Sequence, residues 1–331
     1  MLINSKITLS DSTVAELDKL EKLLEKELSG GNAFISEEAL RILRSGGKRL
    51  RPLITILFAG SCGSYNSDFT LKAAAAIETM HMATLVHDDT IDNAEQRRGI
   101  DTTFKKHGIH TAVYTGDWML LKSLKILSSG DNDTDDLKLT DLLNMLSDGL
   151  EMVCDGEIDQ YYGRGIIPGK KDYYRRIKGK TAAMFGAAAV IGARVSGMKG
   201  SLLDLCYDFG LNFGTAFQIR DDIIDMGNTG IVAGKPVEND LREGIITLPM
   251  LLVCEKSRTF RAKVEQFLMS PADQSATEII HEAIDKGGIQ MADKECSSYI
   301  SRCFSILEKL ACRGAVVDEI RELVSSVFIL E

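Results

Sequence analysis

Residues 81–99 read HMATLVHDDTIDNAEQRRG, and residues 213–228 read FGTAFQIRDDIIDMGN. Each holds a DDxxD run directly after an apolar stretch: Asp88-Asp89-Thr90-Ile91-Asp92 in the first, Asp221-Asp222-Ile223-Ile224-Asp225 in the second. On a helix, positions i and i+4 share a face, so Asp88 lies with Asp92 and Asp221 with Asp225. Carboxylates this close repel, since two unit charges about 4 Å apart cost roughly 4 kcal/mol at an effective dielectric of about 20. Hard divalent cations with oxygen ligands relieve that repulsion, and Mg²⁺ typically takes one or two carboxylates together with substrate phosphates. A solvated helix face is an even rival for a single DDxxD. It is a poor one for two, each bracketed by Leu, Val, Ile and Phe.

Outward from the clusters the chain scans as a succession of helices with almost no period-2 alternation. Val14, Leu17, Leu20, Leu24 and Leu28 recur on one face of a helix over 11–29 that Ser10 or Asp11 caps. Further helices are expected over about 33–44, 52–62, 69–96, 110–128, 136–162, from Lys171 through KGKTAAMFGAAAVIGARVSG, and over 200–227. Another begins at LPMLLVCEKS, with about three short ones after it. The Ala-rich start of 69–96, AAAAIETMHMATLVHDD, is small all round and therefore belongs at the centre of a core. SSGDNDTDD (128–136) is a polar loop, and GNTGIVAGKPVENDLREGIITLP is a Gly-rich loop long enough to be functional. The expected fold is all-α: one domain over 1–331, a bundle of about ten or more helices around a central cavity.

With 44% hydrophobic residues the chain can bury a sizeable core, and its net charge of −9 argues against nucleic-acid binding. No apolar run is long enough to span a membrane. The start, MLINSKITLSDS, lacks the apolar core of a signal peptide, so a cytoplasmic protein is expected. The seven cysteines are scattered without a CxxC pair, which speaks against a zinc or disulfide framework.

Basic residues accompany the acidic ones. Lys48, Arg49 and Arg51 lie in GGKRLRP, Arg97 and Arg98 follow the first cluster, Lys178 and Lys180 precede Thr181, Gln218 stands three residues before Asp221, and Lys235 sits in the Gly-rich loop. Such groups hold phosphate oxygens. Six aspartates for metal and five or six cations for phosphate describe a site for two polyanions, one met through Mg²⁺ and one directly.

In this setting the chain resembles the trans-isoprenyl diphosphate synthases, the polyprenyl synthetase family. The likeness rests on GGKRLRP (46–52), LVHDDTID (85–92), RRG (97–99), GDWML (116–120), KGKTAAMF (178–185), FQIRDDIID (217–225) and GKP…DL…TLP (234–249), in order, from about residue 30 to about 255. Within the family, YYRRIKGKTAAMFGAAAVIGARVSG is most similar to long-chain, heptaprenyl-type synthases. The resemblance implies a prenyltransferase that condenses isopentenyl diphosphate head-to-tail onto an allylic diphosphate, farnesyl or geranylgeranyl, and releases diphosphate.

It further implies about two or three Mg²⁺ ions per site, held by Asp88, Asp89, Asp92, Asp221, Asp222 and Asp225. Arg97, Lys180 and Lys235 would grip the allylic diphosphate, with Thr181 and Gln218 lining its site. Lys48, Arg51, His81 and Arg98 would bind the diphosphate of isopentenyl diphosphate. A homodimer is expected, with a heteromeric small subunit as a variant, and with at most peripheral membrane contact for product release. The sequence departs from the family at Ile245, where a second Lys is common, and at Val237-Glu238-Asn239, where a Gly is common.

Upstream of Asp88, the positions expected to floor the product tunnel are Met80, Ala83 and Thr84, none of them aromatic. One and two helical turns upstream span only ~5–11 Å of helix axis, and leaving them open implies a product above about twenty carbons, roughly thirty to forty. A non-catalytic partner subunit is one rival, but such subunits tend to lose the Asp clusters and both are intact here; two further classes stand beside it. A class I terpene cyclase shares the metal chemistry but has no use for GGKRLRP or Arg98. A ferritin-like di-iron protein uses Glu-x-x-His, which occurs at Glu78/His81 and Glu278/His281 but leaves both Asp clusters unexplained.

Overall fold

Ser10 accepts a hydrogen bond from the backbone N–H of Thr13 and so caps α1, Asp11–Leu28, whose Leu17, Leu20, Leu24 and Leu28 are buried. In the same way Asn32 caps α2 (Ala33–Arg44) and Asn66 caps α4 (Ser67–Ile91). Between them, α3 runs Leu50–Gly60. The computed structural model describes residues 9–62, 66–130, 138–227, 239–270 and 273–328. Most of the Gly-rich loop, with Lys235, and most of the polar loop after Ser129 lie outside them.

The remaining helices are α5 (Thr103–Ser128), α6 (Leu139–Tyr162), α7 (Lys170–Ile177), α8 (Ala183–Val195) and α9 (Ser201–Gly227). After these come α10 (Asn239–Arg242), α11 (Leu248–Lys256), α12 (Arg258–Met269), α13 (Asp273–Asp285), α14 (Gly288–Ala311) and α15 (Asp318–Phe328). The fold is all-α. Among the described residues the only strands are β1, Gln96–Arg97, and β2, Ile100–Asp101, a two-stranded antiparallel hairpin.

The chain forms two compact units. One comprises Met1–Asp148, Met184–Gly210 and Ser305–Glu331, the other Gly149–Ala183 and Leu211–Phe304. In the first, α4 is buried on nearly every side, with Ala73, Ala74, Ala75, Ala76 and Ile77 fully covered, and it packs on α1, α3 and α5. Small residues let those neighbours approach closely. Gly116 of α5 stands so near His87 of α4 that a methyl group there would overlap the ring, and Gly192 of α8 likewise abuts the Thr55 carbonyl of α3. Each fully buried Leu or Phe of this core contributes about 1.5–3 kcal/mol.

Several boundaries differ from the sequence reading. Thr102 caps α5 seven residues earlier than expected, and Gly108 (φ 79°) kinks the chain inside it. The helix expected from Lys171 onward is interrupted by a π-helical turn at Lys178–Ala182. Four helices follow α11 rather than about three short ones, and α14 has 24 residues.

Candidate active site

The first aspartate run falls in the last turn of α4 and the second in the last two turns of α9, toward helix ends whose exposed carbonyls already carry partial negative charge. In the first unit α4 ends at Ile91, and Asp92 is its C-cap, its N–H donating to the Asp88 carbonyl at 2.9 Å. Asp92 is exposed, Asp88 half-buried and Asp89 buried. The chain then reverses through β1 and β2. Arg98 (φ 51°) and Gly99 (φ 77°) form a two-residue link with the positive φ values that a primed hairpin turn requires. The reversal returns Arg97 to the helix end, where its Nε donates to both oxygens of Asp89 at 2.8 Å. Asp89 is therefore braced by Arg97, and Asp88 and Asp92 are the more exposed members of the cluster.

Beside this lies a pocket of cations. The GGKRLRP loop turns through Gly46 (φ 91°), Gly47 (φ 149°) and Arg49 (φ 48°). A Cβ at Gly47 would stand 2.8 Å from Arg98 Nη1, so the missing side chain lets that guanidinium lie against the loop. Arg51 bonds His81 Nε2 through Nη1 at 3.1 Å and stacks over the Phe185 ring at 4.3 Å. Its Nε is buried without a hydrogen-bond partner. Burial pulls Arg51 down to about 10, with Arg98 adding to the effect and Glu78 opposing it. Burial, then Arg51, Arg98, Arg97 and Arg49, hold His81 well below the ordinary imidazole range. His81 is thus neutral, and its Nε2 accepts a hydrogen bond from Arg51. Lys48 is exposed on the same loop. Excess positive charge with an unsatisfied buried donor is an anion site.

Further along α4, Met80 and Ala83 are buried, and Thr84 is half-buried with its hydroxyl donating to the His81 carbonyl at 2.8 Å. Glu78, weighed as a metal ligand in the di-iron alternative, is instead paired with Arg49 at 3.0 Å.

In the second unit a hydrogen-bonded chain runs from the π turn to α9. The Thr181 hydroxyl donates to Gln218 Oε1 at 2.7 Å, and Gln218 Nε2 donates to Asp222 Oδ1 at 3.1 Å. Asp222 Oδ2 accepts from the Tyr173 hydroxyl at 2.7 Å and from Leu248 N–H at 3.0 Å. Asp222 is buried, and burial pushes its carboxyl up against the effect of those three donors. Asp221 and Asp225 are exposed.

Lys180 Nζ pairs with Glu157 of α6 at 2.9 Å. The π turn is seated on α6 through two glycines: a Cβ at Gly179 would fall 2.5 Å from the Met152 carbonyl, and one at Gly156 would overlap Lys180 N. Single π turns of this kind are frequent at functional sites. Asp222, Asp225, Asp240, Ile245 and Thr247 line a cavity at the end of α9.

Sequence reasoning named Asp89 and Asp222 as metal ligands alongside their neighbours. The structure gives each a protein partner: Arg97 for Asp89, and Tyr173, Gln218 and Leu248 for Asp222. Sequence reasoning missed Tyr173 and Glu157 altogether and read Glu78 only as a di-iron ligand, because their partners Asp222, Lys180 and Arg49 lie more than twenty residues away. Hard carboxylate oxygens at Asp88, Asp92, Asp221 and Asp225 are the donor type Mg²⁺ takes. Among the described residues no group of three or more His, Cys, Asp or Glu is arranged to hold an ion alone, so an ion bound here draws further ligands from substrate or water.

An all-α fold with two DDxxD helix ends and a cluster of guanidinia beside the first defines a prenyltransferase of the diphosphate-handling type. The chain belongs to the polyprenyl synthetase family, whose model matches residues 32–286. It is 33% identical over 296 residues to "Heptaprenyl diphosphate synthase component 2" of Bacillus subtilis, covering 89% of this chain and 82% of the relative. To the protein of the same name in Geobacillus stearothermophilus it is 36% identical over 251 residues, 76% of this chain and 75% of the relative. The crystal structure of heptaprenyl diphosphate synthase from Staphylococcus aureus superposes with a TM-score of 0.86 at 30% identity, covering 96% of this chain and 98% of that one. Among the described residues no helix is long and apolar enough to cross a membrane.

Proposed function

We propose that this enzyme adds isopentenyl diphosphate head-to-tail to an allylic diphosphate, farnesyl or geranylgeranyl, in an Mg²⁺-dependent reaction that yields a long-chain polyprenyl diphosphate. The observation that carries the reading is Arg51: a half-buried guanidinium whose buried Nε has no partner, beside a neutral His81 that lies within the field of Arg49, Arg97 and Arg98. A terpene cyclase, which takes one diphosphate, has no use for such a pocket in addition to its metal carboxylates.

In the first unit Lys48, Arg51, His81 and Arg98 bind the diphosphate of isopentenyl diphosphate, and Asp88 and Asp92 offer oxygens to Mg²⁺ while Arg97 braces Asp89. In the second, Asp221 and Asp225 offer oxygens to Mg²⁺, and Lys180, Thr181 and Gln218 serve the allylic diphosphate, with Lys235 as a further cation. Bound Mg²⁺ supplies positive charge against the departing diphosphate. The allylic C–O bond breaks with its electron pair leaving on diphosphate oxygen. The π pair of isopentenyl diphosphate forms the new C–C bond, and the proton lost from the adjacent carbon goes to that released oxygen. The Thr181 hydroxyl oxygen and the Gln218 amide oxygen turn dipoles toward the developing cation.

Met80, Ala83 and Thr84 present no aromatic barrier along α4, which supports growth well past a short product. The relatives named "component 2" support a second polypeptide as a working partner, and a cytoplasmic homodimer is the simplest assembly otherwise. The test incubates purified protein with Mg²⁺, labelled isopentenyl diphosphate and farnesyl or geranylgeranyl diphosphate, and sizes the products. Radiolabelled long-chain product is expected. No incorporation with any allylic primer refutes the reading.

A further inference from the structure

Within the first unit, two arginines of one loop differ sharply in how they are used. Arg49 spends every guanidinium nitrogen inside the protein. Nη1 donates to Glu78 at 3.0 Å, Nε to Glu21 at 2.7 Å, and Nη2 to the Leu43 carbonyl at 2.9 Å. It is only 7% exposed and stands as the left-handed N-cap residue of α3. Arg51, two residues on, bonds His81 and has a buried Nε with no partner.

Glu78 is the carboxylate that both could claim. It is buried in α4, one turn before His81, and its charge acts on Arg49, Arg51 and Arg98 alike. A buried carboxylate deprived of its counter-ion draws in another cation, because an unpaired buried charge is strongly destabilising. The other guanidinia on which its charge acts, Arg51 and Arg98, are the ones expected to meet the substrate.

We propose that Arg49 is a positioning residue whose task is to keep Glu78 occupied, so that Arg51 and Arg98 remain available to the diphosphate of isopentenyl diphosphate. The inference rests on the functional reading above. Loss of Arg49 removes one positive charge from the pocket and frees Glu78 to draw Arg51 inward. Both effects weaken the same substrate.

The experiment measures KM for each diphosphate separately, together with direct calorimetric binding of isopentenyl diphosphate. For Arg49→Gln, KM and Kd for isopentenyl diphosphate are expected to rise on the order of tenfold, equivalent to about 1.4 kcal/mol. KM for the allylic diphosphate should stay within about twofold, since only one pocket is affected. The double variant Arg49→Gln/Glu78→Gln, which removes the competing carboxylate, should recover most of the loss. Arg49→Lys keeps the charge on Glu78 while giving up the bonds to Glu21 and Leu43. It should melt earlier yet bind isopentenyl diphosphate within about threefold of wild type.

The proposal is overturned if the double variant binds no better than the single, if both KM values rise together, or if Arg49→Lys is as impaired as Arg49→Gln. Should Arg49→Gln fail to fold, the Arg49→Lys and double variants still decide it. A wild type that does not bind isopentenyl diphosphate sinks the functional reading instead; a wild type that binds, with variants that bind equally well, sinks only this inference.

Discussion

Asp221 and Asp222 are adjacent in sequence, and their substitution should have opposite consequences. Asp222 accepts from Tyr173, Leu248 and Gln218 in a buried position. Asp222→Ala strands three donors at about 1–3 kcal/mol each. Burial already disfavours the Asp222 charge, so its removal offsets part of that cost and leaves a net loss of about 2–4 kcal/mol. At roughly 2 °C per kcal/mol for a chain of this size, the melting temperature should fall by about 4–8 °C. Asp221 is exposed, and Asp221→Ala should change stability by less than about 1 kcal/mol while abolishing turnover. Asp222→Asn, which still offers an acceptor to Tyr173 and Leu248, should recover part of the stability. The assay is thermal unfolding in metal-free buffer with chelator, so that ion binding does not enter, beside product formation with Mg²⁺. Equal melting-temperature losses for the two alanine variants would refute the division into a braced and an exposed aspartate.

Further expectations can be checked separately. Burial raises Glu38, but bonds from Arg41, Lys106 and His107 outweigh it and hold the carboxyl at about 2. Because the folded value lies below the ordinary 4.5, its contribution, about 3 kcal/mol, is full above that pH and vanishes as pH falls toward 2. Glu38→Gln should therefore lower the melting temperature at pH 7 and flatten its decline in acid. Gly156→Ala places a methyl group on the backbone of Lys180. It should cost about 1–3 kcal/mol and reduce turnover more than Ala substitution elsewhere on α6, measured by melting and initial rates. Ala83→Phe fills a fully buried position on α4 and should shorten the product, read by chromatography; unchanged length discards the tunnel assignment. Asp88→Ala should abolish turnover with the circular dichroism spectrum intact.

The all-α fold was legible because its signals are local: the leucine period of α1, the Ser10 cap before it, and the Ala-rich run of α4. The hairpin at 96–101 was not read, because two-residue strands carry no period; Arg98-Gly99 was its one visible sign. The π turn was hidden inside an apparently continuous helix, and its close seat on Gly156 through Gly179, across more than twenty residues, has no local sequence sign. The site was legible as residue types but not as partnerships. DDxxD spacing says that the first and last aspartates share a face, whereas the fate of the middle ones depends on Arg97 and Tyr173, which no local pattern links to them.

The placement of both aspartate runs at helix C-termini has a consequence for how this protein can be improved. Carboxylates beside the negative end of a helix dipole are what a search for stability removes first, for example by Asp92→Asn or Asp92→Lys, gaining about 0.3–1 kcal/mol. Such a search, blind to activity, would select a sturdier protein with an impaired active site. A thermostabilised form of this enzyme must therefore be sought in the cores of the two units, with the two acidic helix ends left at odds with the fold that carries them.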